Sequence, residues 1–424
     1  MEQKSTRIGR FLAALELDVR LLGMIFALLV IWIVFDIFSG GSFITPRNLF
    51  NISIQSSSIM VMATGMVFVI VTRNIDLSVG SILGFIGMLI GVMQVNLLPD
   101  IIGQGHAWMW LIALLGGIFI GAVIGGIQGT VIAYLGVPAF IVTLGGLLVW
   151  RGGAWWVTSG QTVAPMDPTF RLLGGGVGGT IGYWPSLVVG LICCALIVLG
   201  LFNGRRQRKR FDFPLRPVWA EFVLAGLGIS VVMGIVSIAN SYYMPSRVAK
   251  RYAEANGMTI PEGGLEIAYG LPIPFLIAIG VAVVMTFIAQ RTRFGRYVFA
   301  QGGNPEAAEL SGINTKLITV AIFSLMGMLC GLASAISTAR LNASTNATGT
   351  LDELMVIAAA VIGGTSLNGG VGTIVGAVLG AMVMQSLQSG MVLLGFDAPL
   401  QNIVVGVVLV LAVYIDIVYR KRTG

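Results

Sequence analysis

Apolar segments of membrane-spanning length follow one another through almost the whole chain, and no other feature limits its fold as much. A helix needs about 20 apolar residues to cross a bilayer. Such segments fall near 21–40, 52–72, 77–97, 108–134, 137–157, 181–202, 218–238, 271–290, 317–338, 372–394 and 399–418. A twelfth, near 352–364, is too short to cross alone as a straight helix. It predicts a broken or re-entrant element joined to the glycine-rich run after it. In hydrocarbon every backbone N–H and C=O must be bonded internally. The pattern therefore predicts an all-α, polytopic transmembrane helical bundle of about 10–12 membrane segments. Composition matters here on two points. Charged residues make up 10% of the 424, against about 25% in soluble domains. Glycine, at 58 residues, recurs at four-residue spacing at Gly80 and Gly84, at Gly117, Gly121, Gly125 and Gly129, and at Gly372, Gly376 and Gly380. Each set makes a flat helix face for close packing in lipid.

Basic residues set the orientation. The first apolar run follows Lys4, Arg7, Arg10 and Arg20 and is longer than the core of a cleaved signal, so it reads as an uncleaved first span. With residues 1–20 as a cytoplasmic segment and sides alternating thereafter, the 25 Lys and Arg divide 18 inside to 7 outside. The transmembrane domain then covers 21–418, with the 291–316 loop and the tail 419–424 in the cytoplasm and the polar loop 239–270 outside. The run RRQRKR at Arg205–Arg210 directly follows a span. It is a topology anchor in this setting, and no nucleic-acid partner is expected.

The loop RTRFGRYVFAQGGNPEAAELSGINTK, Arg291–Lys316, carries its own helix punctuation. Asn304 stands at an N-cap, Pro305 at the first helical position, Glu306 in the first turn, and Gly312 at the stop. A helix of about eight residues is marginal alone. It is expected to hold its shape by docking, on this chain or on a partner protein that grips it.

Few polar residues interrupt the apolar segments. Arg73 and Asp76 lie three apart in TRNIDLS at Thr72–Ser78, and would pair if that turn is helical. The pair reads either as part of a translocation pathway or as a salt bridge pinning a helix break. Thr365, Ser366 and Asn368 belong to a second polar kink, GGTSLNGG at Gly363–Gly370. VGSILG at Val79–Gly84 follows the first kink, and VGTIVG at Val371–Gly376 follows the second, which suggests a parallel internal repeat with two discontinuous helices. Gln55, Ser56, Ser57 and Ser58 cluster at the start of one span, and Gln385 and Gln388 share a face of another. They serve either as hydrogen-bonding groups for an uncharged polar solute or as interhelical glue. Asp352 and Glu353 suit a helix N-terminus by dipole. No Gly-Lys dipeptide exists, so no phosphate loop does. One histidine, His106, and three cysteines in apolar runs offer no metal site, and no acid–base set assembles for catalysis. A chain with no cofactor of its own is expected. An ion-coupled secondary transporter is the rival reading, and would call for acids at mid-membrane.

RFGRYVFAQGGNPEAAELSGIN at Arg293–Asn314, AVIGGTSLNGGVGTIVGAVLGA at Ala360–Ala381 and NIDLSVGS at Asn74–Ser81 together carry a resemblance. The chain resembles the permease subunits of bacterial ABC importers for monosaccharides, of the ribose and xylose type. Extra material from about Leu201 to Gly270, adding a pair of passes, looks like the xylose permease branch. The resemblance implies a homodimeric permease in the inner membrane. A cytoplasmic ATP-binding subunit would hold ATP and magnesium, and a periplasmic sugar-binding protein would deliver substrate. It also implies that Gly302, Gly303, Asn304, Pro305, Glu306, Ala307, Ala308, Glu309 and Gly312 form the loop docked in the ATPase. The same machinery could carry another small neutral solute, such as an amino acid or nucleoside.

Overall fold

The computed structural model describes residues 15–16, 19–255, 257 and 265–423. Lys4, Arg7 and Arg10, and Glu262 in the long polar loop, lie outside the described residues. Helices make up the architecture, with isolated β-bridges and no β-strand among the described residues. In order they are α1 (Val19–Phe38), α2 (Pro46–Val71), α3 (Val79–Val92), α4 (Leu98–Ile102), α5 (Met109–Tyr134) and α6 (Ala139–Thr158). Then come α7 (Pro168–Arg171), α8 (Tyr183–Arg210), α9 (Val218–Asn240), α10 (Ser246–Ala255) and α11 (Ile273–Arg291). The last are α12 (Arg293–Gly303), α13 (Pro305–Leu310), α14 (Thr315–Leu341), α15 (Asp352–Ile362), α16 (Ile374–Leu393) and α17 (Ala398–Thr423). A π-turn at Met93–Leu97 joins α3 to α4.

Ten helices among the described residues are long and apolar enough to cross a membrane, and the all-α polytopic bundle is the fold. The count falls within the expected 10–12 membrane segments. The eleven residues of α15 form a short buried helix, as the re-entrant reading expects. Helix α17, Ala398–Thr423, is 26 residues long, and Ala398–Tyr414 within it is apolar.

The chain divides into two compact units. One comprises Met24–Gly179 and Ile273–Gly424. At its centre α2 is buried along nearly its whole length. Thr45 caps α2 by accepting from the Asn48 backbone N–H, and Pro46 supplies the first helical position. Around it α5 and α14 pack antiparallel, backbone on backbone. A Cβ at Gly121 would collide with the Gly327 carbonyl oxygen, and one at Gly125 with that of Phe323. Ser324 Oγ adds a bond of 2.7 Å to the Ala122 carbonyl. The glycine stripe legible in the sequence is thus the seam between two helices, where packing replaces the hydrophobic effect. Gly376 and Gly380 do the same for α16, against the carbonyls of Gly363 and Ala359 in and after α15. Away from these seams the apolar side chains point outward: Phe119 and Trp156 are among many large exposed ones, as a lipid-facing surface requires.

The second unit comprises Met1–Gly23 and Thr180–Pro272, and so contains the stretch from Leu201 to Gly270. Its core is the hairpin of α8 and α9. Glu16 sits between two guanidiniums of this hairpin, 2.6 Å from Arg208 and 2.8 Å from Arg216. Their hydrogen bonds, Arg208 foremost, pull its carboxyl down to about 2. Beyond α9, Tyr242 and Tyr269 stack with ring centroids 4.8 Å apart, beside a bridge between Tyr243 and Ala268.

Candidate functional site

The loop between α11 and α14 folds as the punctuation of its sequence requires. Thr292 caps α12, and Asn304 Oδ1 caps α13 by accepting from the Ala307 N–H at 3.0 Å. The stop is a Schellman turn: Gly312 N–H bonds Glu309 O at 2.9 Å and Ile313 N–H bonds Ala308 O at 3.1 Å, with Gly312 at φ +84°. Gly312 is the stop, and α13 has six residues, against about eight expected. Ala308 faces inward while Glu306, Glu309 and Leu310 are exposed. Leu310 is 90% exposed, an apolar side chain displayed at the tip of a short helix.

One turn before α13, the loop is fastened to the rest of its unit. Gly302 and Gly303 end α12, where backbone carbonyls lack partners inside the helix. Arg73 supplies them. Its Nε donates to Gly302 O at 3.1 Å and its Nη2 to Gly303 O at 2.8 Å, a cation at the negative end of the helix dipole. Arg73 takes a left-handed φ of +63° at the end of α2 to make this reach. Beside it the Gly370 N–H bonds the Val71 carbonyl at 2.9 Å. No Cβ would fit at Gly302, whose Cα faces the same Val71 carbonyl. The segment after α2, the segment after α15 and the end of α12 therefore meet at one junction.

Arg73 and Asp76 do not pair, which corrects the spacing argument. The turn between them is not helical: Asp76 faces inward, 1% exposed, and accepts from Ser78 N–H at 2.9 Å and Ser78 Oγ at 2.6 Å. Ser78 Oγ in turn exchanges a bond with Gln128 on α5, 3.1 Å from its Nε2. Asp76 thus builds the start of α3, while Arg73 turns away to α12.

At the opposite end of this unit lies a polar cavity of about 520 Å³. The first turns of α2 (Asn48, Asn51, Gln55), the last turn of α14 (Arg340) and the far half of α16 (Gln385, Gln388, Ser389) line it. It lies roughly the length of α14 away from the loop, about 40 Å at 1.5 Å per residue. Gln385 Nε2 donates to Gln55 Oε1 at 3.0 Å, and Ser389 Oγ to Asn48 Oδ1 at 3.0 Å, so the two helices meet through amides and a hydroxyl. Asp352 opens α15 on the same wall. Arg151 on α6 pins the preceding loop, donating to the carbonyls of Asn346, Thr348 and Gly349 at 2.9–3.0 Å.

Of the pathway residues picked from the sequence, Gln55 and Gln385 come together in this cavity. Arg73 stands at the junction and Asp76 beside α3. Ser56 points elsewhere, donating to Ser53 O at 3.2 Å. Thr365 and Ser366 are fully buried with hydroxyls lacking partners, and Asn368 is exposed in the same turn. Asn48 and Asn51 were missed because the apolar run begins near residue 52. They continue the face of Gln55 at i, i+3 and i+7, a polar stripe that a helix started at Pro46 would have revealed. VGSILG lies wholly within α3, whereas VGTIVG straddles the turn before α16, so the two segments differ in helical register.

A sequence model of the family described as branched-chain amino acid transport system / permease component matches residues 48–413. A xylose transport system permease protein of Haemophilus influenzae is 34% identical over 406 residues, 94% of this chain and 96% of the relative. The xylose transport system permease protein of Escherichia coli is 32% identical over 418 residues, 98% of this chain and 96% of the relative. The ribose import permease protein of Escherichia coli is 32% identical over 379 residues, covering 88% and 87%. No solved structure matches the chain significantly.

Proposed function

The chain belongs to the permease family described as branched-chain amino acid transport system / permease component, and from that premise we propose that it is the membrane-spanning subunit of an ATP-driven importer for a monosaccharide, xylose or a related pentose or hexose. As a permease component it is a part of a transport system and not itself an enzyme. The relatives named for xylose and ribose, each matched over most of its length, support the sugar. A separate cytoplasmic subunit would bind ATP and magnesium, a periplasmic binding protein would deliver the sugar, and a second copy of the permease would complete the pore. In this reading the protein lies in the bacterial inner membrane, with both termini and the 291–316 loop in the cytoplasm.

The observation that carries the mechanism is the junction at Arg73. The ATPase grips the exposed face of α13, with Glu306, Glu309 and Leu310. Its closure on ATP displaces α12 and α13 together with α11 and α14. Arg73 carries the displacement to the break between α2 and α3. The bond from Gly370 to Val71 carries it to the turn between α15 and α16. Alternating access follows, because α16 ends in the polar cavity and α15 begins beside it. Glu306→Lys and Gly312→Val test the docking role in a reconstituted complex. The first reverses an exposed charge, and the second forces a β-branched residue to φ +84°. Both should abolish the sugar-stimulated part of ATP hydrolysis while the binding protein keeps its affinity for sugar. Unchanged stimulation would overturn the assignment.

A further inference from the structure

We infer that the cavity between α2 and α16 is a binding site for a neutral, polyhydroxylated solute, with Gln55 and Gln385 as its hydrogen-bonding pair. The inference rests on the importer reading and adds to it a site within the permease itself. Sites for small molecules measure about 300–1,000 Å³ and are mostly apolar, with a few placed polar groups. This one, at about 520 Å³, has the right size and the reverse lining. Carboxamides and hydroxyls dominate its wall: Asn51, Gln55, Ser58, Thr350 and Gln388 among them. An occupant covered in hydroxyls can satisfy such a wall, whereas a branched aliphatic side chain would strand buried amides without partners.

Charge points the same way. The charged residues lining the cavity are Arg340 and Asp352, one of each sign, so the wall as a whole offers no net charge to hold an ion.

The two glutamines have the geometry of a reader of hydroxyls. Their mutual bond consumes Gln385 Nε2 as donor and Gln55 Oε1 as acceptor. That leaves the Gln55 amide N–H groups, the second N–H of Gln385 and the Gln385 carbonyl oxygen. The pair thus offers both donors and an acceptor, which neighbouring hydroxyls on a ring can complement. Because one residue stands on α2 and its partner on α16, an occupant would bridge the helices that the junction at the other end links through Val71 and Gly370. Occupancy of the cavity and position of the coupling loop would then be read by the same pair of helices.

The test uses vesicles carrying the complete complex of permease, ATP-binding subunit and binding protein, supplied with labelled D-xylose, D-ribose, D-glucose and L-leucine in turn. Gln55→Met and Gln385→Met keep side-chain length and remove the hydrogen-bonding groups. The readout is solute taken up per ATP hydrolysed. Each variant should lower this ratio for the transported sugar by roughly 3–10-fold, the effect of about one lost hydrogen bond. The double variant should fall no further than the singles, because the two amides act as a pair. Equal ratios in wild type and both variants would overturn the cavity assignment while leaving the importer reading intact. Uptake of leucine and of no sugar by the wild type would overturn the importer reading for sugars and, with it, this site. Should either variant fail to co-purify with the ATP-binding subunit, Ser389→Phe, which fills the cavity from its rim, replaces it. Undiminished sugar uptake by that variant would equally overturn the site.

Discussion

Replacing Arg73 with glycine separates the strain at this position from the bonds the side chain makes. At φ +63° any L residue is disfavoured, so Arg73→Gly relaxes the backbone and should not impair folding. What it removes is the guanidinium that donates to Gly302 O and Gly303 O at 3.1 and 2.8 Å. A hydrogen bond to a charged group contributes about 1.5–3 kcal/mol. One side of Arg73 is open to solvent, and screening there reduces the figure, so about 1–3 kcal/mol for the pair is reasonable. As a coupling free energy this is about 5–150-fold. In vesicles carrying the complete complex, the ratio of sugar transported to ATP hydrolysed should fall by that factor in Arg73→Gly. Arg73→Lys, which keeps the charge but loses the fork, should fall between the two. Normal coupling in Arg73→Gly would refute transmission through Arg73. Loss of ATPase binding instead would assign Arg73 to the docking surface and refute it equally.

Two further outcomes follow from packing and charge. Gly327→Val drives a branched side chain into the Gly121 carbonyl on α5, and overpacking of this kind costs at least about 1–3 kcal/mol; the purified protein should melt several degrees lower in detergent. Gly152→Ala, with nothing within 4 Å of its Cβ position on α6, is the matched control and should be neutral or slightly stabilising. Glu16 is held at about 2 against an ordinary 4.5 by Arg208 and Arg216. A depressed carboxyl stabilises its contact above its unfolded value and loses that contribution as pH falls through the folded one. The tether of Glu16 to the α8–α9 hairpin should weaken progressively between pH 4.5 and 2, as read by the distance between spin labels at the two sites. Glu16→Gln should show the loosened distance already at neutral pH.

Much of the architecture was legible because lipid leaves few options. Span length, glycine seams and the cap–proline–acid–glycine order of α13 each follow from local chemistry, and each reappears within a residue or two. The failures share a cause. Arg73 and Asp76 are three apart, and spacing alone pairs them only if the backbone between them is helical. The left-handed φ at Arg73 sends the two side chains in opposite directions, and the partner of Arg73 lies 229 residues away at Gly302. The cavity was half legible. Gln55 and Gln385 stand out in apolar runs, but Asn48 was read as lying outside its span. Asp352 was read only as a dipole partner, since a wall built by three distant helices leaves no local signature.

Under the proposed coupling, the two helix breaks are the pieces through which the loop would act on the distant cavity. A break inside a membrane survives only if its backbone groups are bonded within the protein. The first does so largely from its own neighbourhood: Asn74 N–H to Val69 O at 3.1 Å and Ser78 N–H to the Asp76 carboxylate at 2.9 Å. The second closes on itself through Thr365 N–H to Ala360 O at 3.0 Å and Ser366 N–H to Val371 O at 2.8 Å. Each is therefore a self-contained turn that can shift as a body without stranding its own bonds in hydrocarbon. The hydrogen bonds between them, and from them to α12, are few: one backbone bond from Gly370 and one guanidinium fork from Arg73. A hinge needs this division, stiff pieces joined by few bonds, because packed interiors switch between arrangements and do not bend continuously.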